Sequence, residues 1–212
     1  MTTAARVVYW LGWVVFSLYY RLFYRWRLDG AENVPAAGGI ILYANHASWH
    51  DIPILAISVR RPVRFLAKEE LFHNRFVGAV LRLVGGIPIK RGLPDRHAIR
   101  QALQALERGE ILGIFPEGTR VRDRRLGKAE PGLAYLLWKS GAPAVPVGIS
   151  SPYRWFGPVT VRIGKPVHPD GWGDRPGQAE LAALSDRLMQ EVDRLLVTEH
   201  LRPSKVGRPR AS

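Results

Sequence analysis

Short apolar runs alternate with amphipathic stretches along most of this 212-residue chain. The runs have the length of buried strands, and the apolar residues between them recur at helical spacing. Because strands joined by helices pair in parallel, this order predicts a single α/β domain with a mixed, largely parallel sheet flanked by helices. The predicted strands are 40–44, 63–67, 87–89, 111–115, 145–149 and 159–163, and the predicted helices 53–58, 71–84, 95–109, 131–138 and 181–195. Pro88 indicates that its strand lies at a sheet edge.

The N-terminal region is typical of a membrane anchor. Residues 7–20 carry no charge and lie between Arg6 and Arg21. A helix of that length is roughly 21 Å long, short of the roughly 30 Å hydrocarbon core of a bilayer. Nine of the chain's 21 aromatic residues lie between positions 9 and 26, and such rings favour the headgroup level. We predict an interfacial anchoring helix over residues 1–28; a tilted span and a helix packed on the domain's own core are the alternatives.

The charge and the cysteine count limit the classes of partner and chemistry. A net charge of +13 indicates an anionic partner, which can be nucleic acid, an acidic membrane or a phosphorylated substrate. The absence of cysteine excludes disulfides, a thiol nucleophile and thiolate zinc sites. No RNA-binding or zinc-finger signature is present, so no nucleic-acid partner is predicted. Residues 29–200 are expected to form the folded domain, and residues 201–212 a basic, disordered tail.

The first group of chemically capable residues follows the strand 40–44, where α/β folds build sites. His46 can accept a proton near neutral pH, and Asp51 can fix its tautomer if a turn brings the two together. The simpler alternatives are a helix-start carboxylate and a loop histidine bonded to backbone. His46 and His50 have the spacing of a helical metal pair, but Pro53 indicates that the helix begins after them. Ser48 lacks the glycine-flanked turn of a serine nucleophile.

Two further groups follow the strands 87–89 and 111–115. Lys90 and Arg91 end the first of these segments, and Glu117 and Arg120 lie after the second. Arginine is suited to bidentate recognition of phosphate, and Glu117 can orient a guanidinium or bond a substrate hydroxyl. A polar turn with a surface arginine is the alternative. The basic residues that follow belong to a solvated loop or contact phospholipid headgroups: Arg122, Arg124, Arg125 and Lys128.

Taken in order, these segments resemble the glycerolipid acyltransferase family, which includes the 1-acyl-glycerol-3-phosphate acyltransferases. The resemblance extends from about Gly38 to Ile149, and its most specific part is the third segment. The matching segments are Asn45-His46 with Asp51, Gly86–Arg91, Phe115–Arg120 and Val145–Val147.

This resemblance implies an enzyme that moves a fatty acyl group from acyl-CoA or acyl-carrier protein to the free hydroxyl of a lysophospholipid. The acceptor it favours is 1-acyl-glycerol 3-phosphate, giving phosphatidic acid; glycerol 3-phosphate, another lysolipid or an aminolipid is the alternative. His46 is then the general base and Asp51 its orienting carboxylate, with no acyl-enzyme intermediate. Backbone amides near His46 are the expected oxyanion donors. The residues that bind substrate are then Arg91 and Arg120 for the phosphate, Glu117, Gly118 and Thr119 around that pocket, and Lys68 as a further candidate.

The same resemblance sets the expected surroundings of the protein. It implies neither a cofactor nor a metal, and its partners are the bilayer, the lysophospholipid acceptor and the thioester donor. The expected location is the cytoplasmic face of the cell membrane. The sequence does not indicate an oligomeric state. The rivals are a non-catalytic membrane-surface protein on the same fold and a nucleic-acid-binding protein. The intact pair of His46 and Asp51 argues against the first.

Overall fold

Strands from the whole length of the domain form one sheet. The computed structural model describes residues 2–90, 95–118, 129–169 and 176–197. Within these ranges the sheet has seven strands in the order β1-β7-β6-β2-β5-β3-β4. The strands are β1 Arg25–Asp29, β2 Ile40–Ala44, β3 Val63–Lys68, β4 Ile87–Ile89, β5 Ile111–Ile114, β6 Ala144–Ser150 and β7 Pro158–Ile163. The helices are α1 Thr3–Phe23, α2 Asp51–Ile57, α3 Arg75–Leu83, α4 Arg96–Glu107, α5 Gly132–Ser140 and α6 Gln178–Val197.

The sheet is mixed and mostly parallel. Strands β2 to β6 run in one direction, whereas β7 is antiparallel to β6 and β1 is parallel to β7. The α/β prediction is therefore confirmed. Strand β4, which carries Pro88, lies at the edge of the sheet, as predicted. The carboxyl ends of β2, β3, β4, β5 and β6 consequently meet at one edge.

The core lies on both faces of the central strand β2, which is buried along its whole length. Ile40 and Leu42 pack with residues of α1 and α2 on one face. Ile41 and Tyr43 pack with residues of α4, α5 and α6 on the other. Such a run of consecutive apolar residues is what a parallel strand covered on both sides requires.

Two helix starts and one helix end depend on single side chains or on glycine. Asp95 caps α4 by accepting from the amides of His97 and Ala98, each at 3.0 Å, as its position predicted. Asn74 caps α3 in the same way, so the helix predicted over 71–84 is divided into a 3₁₀ turn at Glu69–Phe72 and α3. Gly141 ends α5 with φ +65°, a left-handed conformation that glycine adopts without strain.

The segment after α1 is a strand, whereas the sequence predicted that the anchoring helix continues to residue 28. The helix ends at Phe23, and Arg25–Asp29 pairs with β7 as strand β1. Trp26 and Leu28 point inward while the charged residues between them are exposed. This alternation with a period of two residues is the pattern of a half-buried strand, and it is present in the sequence.

Helix α1 packs on the domain through one face. The Trp13 Nε1 donates to the carbonyl of Val59 at 3.1 Å, and the Tyr9 hydroxyl accepts from the amide of Val63 at 3.0 Å. Burial raises the pKa of Tyr9 to about 12. The opposite face exposes a stripe of apolar side chains at helical spacing: Val7, Leu11, Val15, Leu18 and Leu22. Within the described part of the chain, no helix is both long and apolar enough to cross a membrane.

Candidate active site

The structure brings His46 and Asp51 together directly after β2. His46 Nδ1 lies 3.0 Å from Asp51 Oδ2, although five residues separate them. A turn at residues 47–50 leads into α2, and Asp51 lies in its first turn. Asp51 therefore lies at the start of a helix and also contacts the imidazole of His46. The two interpretations of this residue are both correct.

Asp51 is completely buried and receives four hydrogen bonds. Its Oδ2 accepts from the amides of Ala47 and Ser48, each at 2.7 Å, in addition to the imidazole. Its Oδ1 accepts from the hydroxyl of Tyr153. A buried carboxylate needs such hydrogen-bond donors, and these four hold it in one orientation.

His46 is held from three sides and is only 8% exposed. Its amide donates to Glu117 Oε1 at 3.2 Å, and its ring stacks on Phe115 with the centroids 4.2 Å apart. The preceding residue, Asn45, uses both polar atoms of its side chain to bond the backbone of Ile149 in β6, at 2.9 and 2.8 Å. The loop is therefore tied to β5 and β6, the strands on either side of β2.

Three backbone amides of this loop, expected as candidate oxyanion donors, donate to carboxylates. The amide of His46 donates to Glu117, and the amides of Ala47 and Ser48 donate to Asp51. Each of these three amides therefore already bonds a carboxylate in the structure. Glu117 and Asp51 thus accept the amide hydrogen bonds that an oxyanion would otherwise use.

A second set of polar contacts surrounds His50. Its Nδ1 lies 2.8 Å from the hydroxyl of Tyr20 in α1, and its ring stacks on Tyr153 with centroids 5.4 Å apart. His46 and His50 therefore face different partners. No group of three or more potential metal ligands occurs among the residues that the structure describes. The Ser48 hydroxyl accepts from the amide of His50 at 3.3 Å.

The other predicted substrate-binding residues are divided between described and undescribed parts of the chain. Glu117 is buried beside His46, and Gly118 adopts φ +65° in the turn that follows β5. Lys68 ends β3, is about half exposed and pairs with Glu70 at 3.1 Å. The remaining predictions lie outside the described residues: Arg91, Thr119, Arg120, the basic cluster 122–128 and the tail 201–212.

Tyr153 and Tyr20 were not identified from the sequence. Tyr153 contacts Asp51 across 102 residues of sequence, and nothing in the chain between them indicates the contact. Tyr20 was interpreted as an aromatic residue of the predicted anchor, and it lies in α1. A local motif can predict the pair His46 and Asp51, whereas these tyrosines are placed only by tertiary packing.

The arrangement is suited to general-base chemistry. A histidine whose Nδ1–H donates to a carboxylate carries its basic lone pair on Nε2. Among the described residues none bonds to this Nε2, so the lone pair can take a proton from a bound hydroxyl. Asp51 stabilises the imidazolium that results.

Comparisons with known proteins identify the family of the chain. The family model described as "Acyltransferase" matches residues 25–150. The 1-acyl-sn-glycerol-3-phosphate acyltransferase of Bacillus subtilis is 32% identical over 173 residues, which are 80% of this chain and 87% of that protein. The lyso-ornithine lipid O-acyltransferase of Pseudomonas aeruginosa is 37% identical over 108 residues, 50% of this chain and 41% of that protein.

A solved structure extends the likeness to nearly the whole fold. The 1-acyl-sn-glycerophosphate acyltransferase PlsC from Thermotoga maritima has a TM-score of 0.73 and 28% identity, covering 95% of this chain and 81% of that one. The chain belongs to the acyltransferase family, and the resemblance noted in its sequence is confirmed.

Proposed function

We propose that this enzyme transfers a fatty acyl group from a thioester donor to the free hydroxyl of 1-acyl-glycerol 3-phosphate, giving phosphatidic acid. The observation that carries the proposal is the 3.0 Å contact between His46 and Asp51, with Nε2 left for the acceptor. The names of the Bacillus and Thermotoga relatives support this acceptor. The donor is acyl-CoA or acyl-carrier protein, and both are acidic partners for a chain of net charge +13.

In this mechanism the acceptor hydroxyl is activated by His46. Nε2 takes the hydroxyl proton while the oxygen attacks the thioester carbonyl, forming the ester C–O bond. The C–S bond then breaks, and the imidazolium returns the proton to the leaving thiolate. Asp51 holds the ring in the correct tautomer and stabilises its charged form throughout. No residue of the chain becomes acylated.

The experiment that tests the proposal uses the purified protein with a panel of lyso-acceptors and both thioester donors, read by lipid mass spectrometry. We expect phosphatidic acid from 1-acyl-glycerol 3-phosphate. Absence of any acylated product would favour a non-catalytic membrane-surface protein instead. A lyso-ornithine lipid belongs in the panel because the Pseudomonas relative is named for that acceptor. Faster turnover of this aminolipid than of the phosphate acceptor would make it the substrate.

We propose that Arg91 and Arg120 hold the phosphate of the acceptor, with Glu117, Gly118 and Thr119 around that pocket and Lys68 as a further contact. The position of Glu117 supports this, because its Oε1 accepts a hydrogen bond from the amide of His46 at 3.2 Å. The chain just before Arg120 therefore lies beside the proposed general base, His46. Gly118 bonds back to the carbonyl of Phe115 at 3.2 Å, which turns the chain at this point.

Arg120→Ala is expected to raise the KM for the acceptor about 10- to 100-fold and to change kcat much less, because a charged hydrogen bond to phosphate is lost. Steady-state kinetics with acceptor and donor varied in turn measure this. Arg100→Ala, which removes an exposed arginine of α4, is the control. A loss confined to use of the donor would contradict the phosphate role.

We also propose that α1 lies in the membrane interface and places the site at the cytoplasmic face of the bilayer. Its outward apolar stripe and the aromatic residues along it support this, since apolar residues on one face and rings near headgroup level are typical of interfacial helices. Leu11 and Leu18 are 63% and 55% exposed, whereas Tyr9 and Tyr20 on the opposite face are buried against the domain.

The double substitution Leu11→Gln and Leu18→Gln is expected to weaken binding to anionic phospholipid vesicles about 100-fold, since each buried leucine contributes about 1.5–3 kcal/mol. Vesicle sedimentation measures the partition coefficient. Ala183→Gln, on the exposed side of α6, is the control and should bind like the parent protein. Unchanged binding of the double variant would place the contact with the bilayer on another surface.

A further inference from the structure

Tyr153 lies in an unusual backbone conformation beside the proposed general base. It belongs to the loop between β6 and β7 and has φ 48°, a left-handed value that residues other than glycine rarely adopt. Its amide donates to the Ser151 hydroxyl at 3.0 Å, which stabilises the turn. This conformation directs the phenol into the site, where its hydroxyl donates to Asp51 Oδ1.

Within the described ranges, Tyr153 is the sole hydrogen-bond partner of Asp51 Oδ1. The three other donors to this carboxylate all bond to Oδ2. Oδ2 accepts hydrogen bonds from the imidazole and from two amides. Bonds to this one oxygen leave the carboxylate free to rotate about it, so a bond to Oδ1 is needed to fix the plane of the group. Burial, and then the neighbouring Asp51, raise the pKa of Tyr153 well above its usual range. The phenol therefore keeps its proton and acts as a donor over the whole working pH range.

The ring of Tyr153 is itself held by α1 through His50. The imidazole of His50 stacks on the phenol at an angle of 26°. The His50 Nδ1 lies 2.8 Å from the hydroxyl of Tyr20, which is 1% exposed. A buried side chain of the N-terminal helix thus reaches Asp51 through two intervening rings.

We propose that Tyr153 is a positioning residue for acyl transfer, whose hydroxyl fixes Asp51 so that Oδ2 faces His46, and that Tyr20 holds Tyr153 in place through His50. This inference rests on the proposed function. The titratable groups that surround the carboxylate in the described structure are His46, His50, Glu117, Tyr20 and Tyr153. Of these groups, His46 and Tyr153 bond the carboxylate of Asp51. His46 is the proposed general base, so Tyr153 is the group whose role is to position the carboxylate.

The test is Tyr153→Phe, which removes the hydroxyl and keeps the ring. We expect kcat to fall about 10- to 100-fold with little change in the acceptor KM, because a buried charged hydrogen bond is lost. Without the phenol, more negative charge stays on Asp51 and attracts the imidazolium more strongly. The acid limb of the rate profile and the midpoint of the His46 ring titration, followed by NMR, should both move to higher pH.

Tyr43→Phe is the matched control, since it removes another buried phenol whose hydroxyl has no hydrogen-bond partner in the described structure. It should leave the rate profile and the ring titration unchanged. Tyr20→Phe leaves Tyr153 in place and should move both readouts in the same direction by a smaller amount. This second variant carries the test if Tyr153→Phe does not fold.

An unchanged His46 titration in both Tyr153→Phe and Tyr20→Phe would overturn the inference, even if both variants lost thermal stability. The titration requires no substrate. A parent protein that acylates no acceptor would refute the proposed function while the ring titration still decided the role of Tyr153.

Discussion

His46→Ala is expected to lower kcat/KM for acyl transfer about 1,000-fold or more, since a positioned general base contributes about 10²- to 10⁴-fold to a rate. Nε2 of this histidine is the basic atom that no other described residue bonds, and alanine supplies nothing in its place. Binding of phospholipid vesicles should stay within about twofold of the parent value, because the substitution leaves the exposed apolar stripe of α1 unchanged.

The control for this substitution is His97→Ala, which removes an exposed histidine near the start of α4. It should retain full activity. Single-turnover assays separate the chemical step from product release, and circular dichroism shows whether the fold is intact. Activity retained by a folded His46→Ala protein would refute the assignment of the base.

Asp51→Asn is expected to lower kcat about 10,000-fold, the scale on which such a change disables a histidine and aspartate pair in serine proteases. The amide is neutral and cannot stabilise the imidazolium. It also offers one acceptor oxygen where the carboxylate offers two, so one of the four donors now bonded to Asp51 meets an N–H group. We expect the free energy of unfolding to fall by about 1–3 kcal/mol as well.

Asp193→Asn, an exposed carboxylate of α6, is the control for the loss of one charge. Denaturant unfolding and steady-state kinetics should be unaffected by it. If Asp51→Asn lost stability but kept its turnover, Asp51 would be a structural residue of the loop and not the partner of the base.

The elements around the site could be predicted because each depends on a local pattern. Ile40–Ala44 is a continuous apolar run with a turn after it, and Asp95 lies where a cap belongs. The contact between His46 and Asp51 depends on one short turn. The spacing of five residues allowed this contact without deciding it, and the resemblance to the acyltransferase family favoured it. The alternation in Arg25–Asp29 was local as well, but the aromatic cluster that reaches Trp26 suggested a longer helix.

Contacts across the sheet could not be predicted in this way. The φ of Tyr153 depends on the path of its loop, and its bond to Asp51 joins segments 102 residues apart. The hydrogen bonds of the amides at Ala47 and Ser48 likewise depend on where the carboxylate comes to rest. A sequence shows which backbone groups exist, whereas their partners are determined by the folded geometry.

The attachment of α1 to the domain has a consequence for the lipid itself. Tyr9 and Trp13 bond the helix to the backbone at the start of β3 and the end of α2, and Tyr20 bonds it to the catalytic loop. If α1 lies in the interface as proposed, these bonds keep the imidazole of His46 at a constant depth relative to the bilayer. Pulling a sixteen-carbon chain into water would cost on the order of 12 kcal/mol at about 0.8 kcal/mol per methylene. An acceptor that reaches the imidazole by lateral diffusion within the bilayer keeps its acyl chain out of water and avoids this cost in free energy.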